Sequence, residues 1–386
     1  MWQMPEASSA YFEFSLIEGG PLARLRRLAG RKLGVRILVL IAIGWLPVVA
    51  GALIEGQLFD GSGVADPLLR HFGVHVRLLL AVPLLLFVEV VMDQKLRGIV
   101  RNFVDSGLVD DATRPAFAEV LKRAEQLRDS PIGTAFVLLA MASTLWSSTH
   151  GLARAEEMAW TGGKLGFAGA WYTLVSRPIF VLLVSVWAWR LMTGWILIWR
   201  ISKLDLRLVP SHPDRAGGLG FVEGITGPSS IIVFALVSVI AGRWGHEVLY
   251  HGTHVQSLQP LAIMLLVISI LVFAGPLLLL TRILLRFKRQ SVGEYGRLSG
   301  RQGRLVHRKW ILNESVGDPE ILHAPELGPV ADTLAIYGQV ASIRPVPITK
   351  RTLIPIALAV AVPLLPVFAI EIPVKEMLKR LSGALF

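Results

Sequence analysis

The sequence predicts an all-α integral membrane protein of about seven transmembrane helices, within a range of six to eight, carrying a helical cytoplasmic collar. Three observations predict it. Hydrophobic residues fill 53% of the 386 positions against 17% charged, with a mean hydropathy of +0.57, which is too apolar for a soluble domain. Seven stretches reach or approach the roughly 20 apolar residues that an internally hydrogen-bonded helix needs to cross hydrocarbon. Lys and Arg concentrate in every second connection between those stretches.

The expected spans run over 36–54, 75–93, 131–148, 177–199, 228–242, 260–281 and 353–370. Pro131, Pro228 and Pro260 are expected at first helical positions, where a missing N–H has no intrahelical partner to lose. Residues 1–35, 94–130, 200–227 and 282–351 carry 5, 7, 4 and 12 Lys and Arg, against 1, 2 and 1 in 55–74, 149–174 and 243–259. The positive-inside rule therefore sets the N-terminus and the larger polar segments in the cytoplasm. This placement accounts for the formal net charge of +11 without a nucleic-acid partner. Membrane lipids, including anionic headgroups, are the expected partners, together with a second copy of the chain in a homo-oligomer. Val49-Ala50-Gly51-Ala52 offers small residues after the first apolar run, but the long polar leader before it favours a retained span over a cleaved signal.

The organisation that follows is a cytoplasmic N-terminal segment (1–35), two spans (36–93), a cytoplasmic helical segment (94–130) and four spans (131–285). A second cytoplasmic helical segment (286–350) and a last span with its tail (351–386) complete it. In the first helical segment, Thr113 is the expected N-cap, with Phe117, Val120, Leu121 and Leu127 at helical spacing. The second continues the sixth span in polar form through Tyr295, Leu298, Leu305 and Trp310, breaks at ESVGDPE and resumes near 327–343. Neither is large enough for a separate enzyme domain. The last span carries Pro355, Pro363 and Pro366. The tail EIPVKEMLKRLSGALF reads as an interfacial amphipathic helix, whose side of the membrane depends on whether the seventh helix crosses or re-enters.

The chain has no cysteine, which removes disulfides and thiolate metal or iron–sulfur sites from consideration, and no cofactor is expected. Arg190 stands in the fourth span ten residues before Arg200. The separation of about 15 Å places it near mid-membrane, where a cation costs about 2.5 kcal/mol or more. Glu89, the acid set well inside another span, is its expected partner, and the pair is a candidate for an ion path or for a structural ion pair. Trp187 and Trp189 nearby read as packing residues. His246, His251 and His254 cluster with Glu247 in a short external loop and are candidate metal ligands. Their offsets of five and three depart from the helical four of a two-histidine zinc face.

PSHPDRAGGLGFVEG (210–224) lies between the fourth and fifth spans. Gly218, Gly220 and Gly224 miss dinucleotide spacing, no GK[ST] follows, and His212-Pro213-Asp214 spells the J-domain tripeptide without that domain's helical hairpin. Two readings stand. In one, Ser211 and Asp214 make side-chain turns while Gly217, Gly218 and Gly220 supply a compact reversal. In the other, His212, Asp214, Arg215 and those glycines form an anion-binding concavity beside the fifth helix N-terminus. No catalytic residue is assigned.

HPDRAGGLGF (212–221), RKW (308–310), SIRPVP (342–347) and IPVKEMLKRL (372–381) resemble a family of bacterial multi-span inner-membrane proteins. The resemblance implies a bacterial inner membrane and brings no reaction with it. The function expected is a channel or transporter for an ion or small polar or anionic solute. A membrane enzyme acting on a phosphate-bearing lipid through His212, Asp214 and Arg215, and a non-catalytic scaffold or sensor, are the alternatives.

Overall fold

A computed structural model describes residues 14–20, 32–59, 66–149, 158–162, 166–316 and 328–371. The expected amphipathic tail lies outside the described residues beyond Glu371, as does most of the ESVGDPE break. All regular structure among the described residues is helical, and six helices are long and apolar enough to cross a membrane. They are α1 (Leu33–Ile54), α2 (Phe72–Asp105), α5 (Phe167–Ile201), α6 (Gly220–Tyr250), α7 (Val255–Phe273) and α10 (Lys350–Ala369). Between them stand α3 (Arg114–Arg128) and α4 (Pro131–Thr149), a 19-residue helix packed on α5 at the place of the third expected span. After α7, α8 (Thr281–Val306) leaves the bundle as a polar helix and α9 (Gly328–Ala341) packs back on it.

Helix α6 is the axis of the bundle. It packs along α10 with both chains running the same way, and Ile356, Val360, Leu364 and Val367 recur on the buried face of α10. On another side α6 meets α2 where a Cβ on Gly242 would come within 3.2 Å of the Gly73 backbone, so two glycines allow the helices to touch. The bundle has two ends. The loop end holds residues 202–220 and the starts of α6 and α10. The histidine end holds the start of α2 and the close of α6.

Several helix limits differ from those expected. Helices α2 and α5 run 34 and 35 residues, about 50 Å, well beyond the roughly 30 Å of hydrocarbon, because α2 continues through the polar turns 94–105 and α5 begins ten residues before its expected run. Pro131 does open α4, whereas Pro228 is the third residue of the α-helical part of α6, which follows a 3-10 stretch over Gly220–Ile225, and Pro260 lies inside α7. Thr113 occupies the N-cap position of α3 and its carbonyl accepts the Phe117 N–H (3.0 Å), but its side chain does not cap the helix. Its Oγ1 donates to the Asp205 carbonyl (3.1 Å), and Asp110 Oδ1 accepts the Thr113 N–H (2.8 Å).

Two π turns, 77–81 in α2 and 172–176 in α5, have one cause. Pro83 and Pro178 each lie six residues after the turn begins. Each proline lacks the N–H and crowds the carbonyl four residues back, so the ladder closes one residue wider. The two turns face each other: Arg77 Nη1 donates to the Tyr172 hydroxyl, and its guanidinium lies 5.4 Å from the Phe180 ring centre.

Candidate functional site

The 210–220 loop folds around one carboxylate. Asp214 Oδ1 accepts the N–H groups of Ala216 (2.8 Å) and Gly218 (3.2 Å), and Oδ2 accepts that of Gly220 (2.8 Å). His212 Nδ1 stands 2.8 Å from Oδ1. Burial alone would raise the Asp214 carboxyl, but the amides of Ala216, Gly220 and Gly218, with His212, hold it below the usual carboxylate range. The chain closes so tightly through left-handed backbone at Arg215 (φ 56°), Gly217 (65°) and Gly218 (97°), and a Cβ at Gly220 would lie 2.9 Å from Asp214. Arg344, from the segment between α9 and α10, locks the loop. Its N–H donates to the Arg215 carbonyl (2.7 Å) and its Nη2 to the Asp214 carbonyl (2.9 Å).

Of the glycine amides in the expected concavity, those of Gly218 and Gly220 bind the chain's own aspartate. The loop also helps to wall a larger space. A vestibule of about 1050 Å3 opens at the loop end between α2, the loop and the starts of α6 and α10. Lys95, Arg215, Arg344, Lys350 and Arg351 line it, against two acids, Asp214 and Glu223. Both acids have partners: Asp214 as above, and Glu223 Oε2 accepts from the hydroxyls of Thr349 and Thr352 (3.0 Å to the latter). These neutral donors leave both carboxylates charged, so the lining holds five cations against two anions and is net positive.

Arg190 and Glu89 meet, but not on a polar path. Arg190 Nη1 donates to Glu89 Oε1 at 2.7 Å, and Arg36 Nη2 donates to the other carboxylate oxygen at 2.8 Å. Arg190 Nη2 also reaches the Ile17 carbonyl (3.1 Å), and its guanidinium lies 5.1 Å from the Trp187 ring centre. The cavity beside Arg190 holds only about 50 Å3, within a lining that is otherwise almost wholly apolar. Trp187 donates to the Leu85 carbonyl (2.9 Å) and Trp189 to that of Arg128 (3.4 Å), so both pack and bond.

Along their helices, Arg36 is the fourth residue of α1, Glu89 lies at the middle of α2, four residues before Asp93, and Arg190 lies 23 residues, about 35 Å, into α5, with no charged residue between it and Arg200.

At the histidine end a second vestibule, of about 500 Å3, is lined by Arg77, Tyr172, Arg243, Glu247, His71 and His246 among others. His246 and His251 come together, with Nε2 atoms 3.2 Å apart. His254 does not join them: its side chain is 80% exposed and its Nδ1 lies 3.6 Å from Glu371 Oε1. The expected trio is thus a pair, because His251 and His254 straddle the turn after α6 and point to different neighbours. Burial pushes the His71 imidazole down to about 4, outweighing the opposing pull of Asp66.

Arg36, Lys95, Glu223 and Arg344, which complete the loop-end features, carry no local motif. Arg344 lies within SIRPVP (342–347), far from the loop in sequence and bonded to it only through the fold. Compared with known proteins, the chain matches no family model, no curated protein and no solved structure.

Proposed function

We propose that this membrane protein is a transport-type protein for a small anionic solute, which it admits through the loop-end vestibule. The observation that carries the reading is a cavity of about 1050 Å3 in which Lys95, Arg215, Arg344, Lys350 and Arg351 face two acids already bonded. A second vestibule with Arg77 and Arg243 lies at the opposite end of the same two helices, α2 and α6. Along α6 the two are separated by the stretch from Gly227 to Val239, about 18 Å, which is the barrier a solute has to pass. The concentration of Lys and Arg at the loop end supports a cytoplasmic position for it, in a bacterial inner membrane.

The enzyme reading has less support, since Asp214 spends its lone pairs on three backbone amides and His212 rather than on a substrate proton. The test is flux in sealed liposomes containing the purified full-length protein. Chloride, phosphate or sulfate is expected to move and potassium is not. The double variant Lys95→Glu/Lys350→Glu is expected to lower anion flux about tenfold or more by reversing the vestibule field. Folded wild-type protein that moves none of these anions, or charge reversal that leaves flux unchanged, overturns the proposal.

A further inference from the structure

At the histidine end, four side chains from two stretches, 66–71 and 246–251, turn ligating atoms toward one another. Asp66 comes from the segment before α2, His71 directly precedes α2, His246 lies in the last turns of α6, and His251 follows α6. Around Asp66 Oδ2 stand His71 Nε2 at 2.8 Å, His246 Nε2 at 3.0 Å and His251 Nε2 at 3.7 Å. His251 Nε2 is 3.2 Å from His246 Nε2. The His71 and His246 side chains are 8% and 7% exposed, and their rings stack with centroids 4.3 Å apart.

Proton accounting shows what is missing. His246 Nδ1 lies 2.8 Å from the Arg70 carbonyl, which can only accept, so Nδ1 carries the hydrogen. In neutral His246, Nε2 then presents a lone pair to a carboxylate oxygen and to a second imidazole nitrogen. A single added proton could serve one of these contacts. It would leave His71 Nε2, which makes no hydrogen bond despite its 2.8 Å approach, and Asp66 Oδ1, which is buried without a partner. Repulsion among converging lone pairs is relieved for all of them at once by a cation at their centre.

We propose that Asp66, His71, His246 and His251 bind one divalent metal ion of the zinc class. Bonds of about 2.0–2.1 Å in a tetrahedron set ligand atoms about 3.3 Å apart, and four of the six separations, 2.8, 3.0, 3.2 and 3.7 Å, fall on both sides of that value. Three imidazoles and one carboxylate suit zinc, cobalt, nickel or copper; magnesium and calcium require oxygen shells. The bond from His246 Nδ1 to the Arg70 carbonyl is the outer-shell contact that orients a metal-binding histidine. Arg77 and Arg243 line the adjoining vestibule, so the ion is held by direct ligation rather than by the surrounding field. Bound there, it clips the start of α2 to the close of α6, beside the Gly73–Gly242 contact.

The site borders the second vestibule, but its test reads metal alone, so its outcome does not depend on anion flux. Full-length protein in detergent is stripped with a chelator and titrated with Zn2+, with Co2+ as an optical probe. One equivalent is expected to bind, with the visible absorption of tetrahedral cobalt and a raised midpoint of thermal unfolding. Asp66→Asn and His246→Ala are each expected to weaken binding at least tenfold, while His254→Ala binds as wild type. Should the ligand variants fail to fold, the wild-type stoichiometry and the His254→Ala control decide. Folded wild-type protein that takes up no metal, Mg2+ bound as tightly as Zn2+, or equal affinity in wild type and Asp66→Asn overturns the proposal.

Discussion

Glu89 is the residue on which the loop-end charges balance. Two guanidiniums, Arg36 and Arg190, share its two oxygens, and its side chain is 2% exposed. The three residues together carry one net positive charge. Removing Arg190 leaves a neutral Arg36–Glu89 pair, whereas neutralising Glu89 leaves two buried cations facing each other. Breaking a buried pair by deleting one partner costs about 3–5 kcal/mol when the survivor is left uncompensated. Glu89→Gln is therefore expected at or above that range and Arg190→Met well below it, at about 1–2 kcal/mol. Thermal or denaturant unfolding in detergent measures both, and equal losses would show that Arg36 does not share the carboxylate. The same arithmetic bears on Arg190 itself, whose guanidinium is already bonded to Glu89 and to the Ile17 carbonyl.

At the scale of elements, the 210–220 loop behaves as a folded unit closed by Asp214. Because its carboxyl is held below the unfolded value of about 3.9, its stabilising bonds are fully present above that pH and are lost as pH falls through the lower folded value. The difference in unfolding midpoint between wild type and Asp214→Asn is expected to hold from pH 7 down to pH 5 and to vanish in stronger acid. A difference that is absent at pH 7 would mean that the amides do not depend on the charged form. This loop also shows what the amino-acid sequence made legible. Asp214 and the glycines announced a tight reversal, since that spacing suits side-chain turns and positive φ, but which anion the amides held depended on where the chain returned. The spans were readable because hydrocarbon demands long apolar runs. Their ends were not, because the polar turns of α2 and the opening turns of α5 look like connections until tertiary contacts hold them helical. The Glu89–Arg190 contact was readable because few acids lie within spans, while Arg36, at the edge of an expected span, passed for a boundary residue. Asp66 and His71 lie more than 170 positions from His246, and only the close glycine contact between α2 and α6 brings them near it.

Across the whole molecule, the segment 14–20 ties separate helices together at the loop end. Phe14, Leu16 and Ile17 are all but fully buried. Ser15 Oγ donates to Asp93 of α2 and the Ser15 carbonyl accepts from Arg128 of α3. Glu18 Oε1 pairs with Arg97 Nη2 of α2 at 2.8 Å, the Gly20 N–H donates to Asp129 Oδ1 at 2.6 Å, and the Ile17 carbonyl accepts from Arg190 of α5. A short irregular segment with so many tertiary bonds is bound to the bundle rather than folded by itself, so its stability is that of the contacts it joins. Ile17→Asp sets a charge in an apolar pocket beside Arg190 and is expected to release the segment, with a loss of about 2–4 kcal/mol and faster proteolytic cleavage within residues 14–20. Because Ile17 and Glu89 both bond Arg190, the double variant Ile17→Asp/Glu89→Gln is expected to depart from additivity by about 0.5 kcal/mol or more. Additive losses, or cleavage no faster than in wild type, would mean that the segment and the charged cluster are independent. The expected coupling follows from one guanidinium bridging a helix carboxylate and a loop carbonyl.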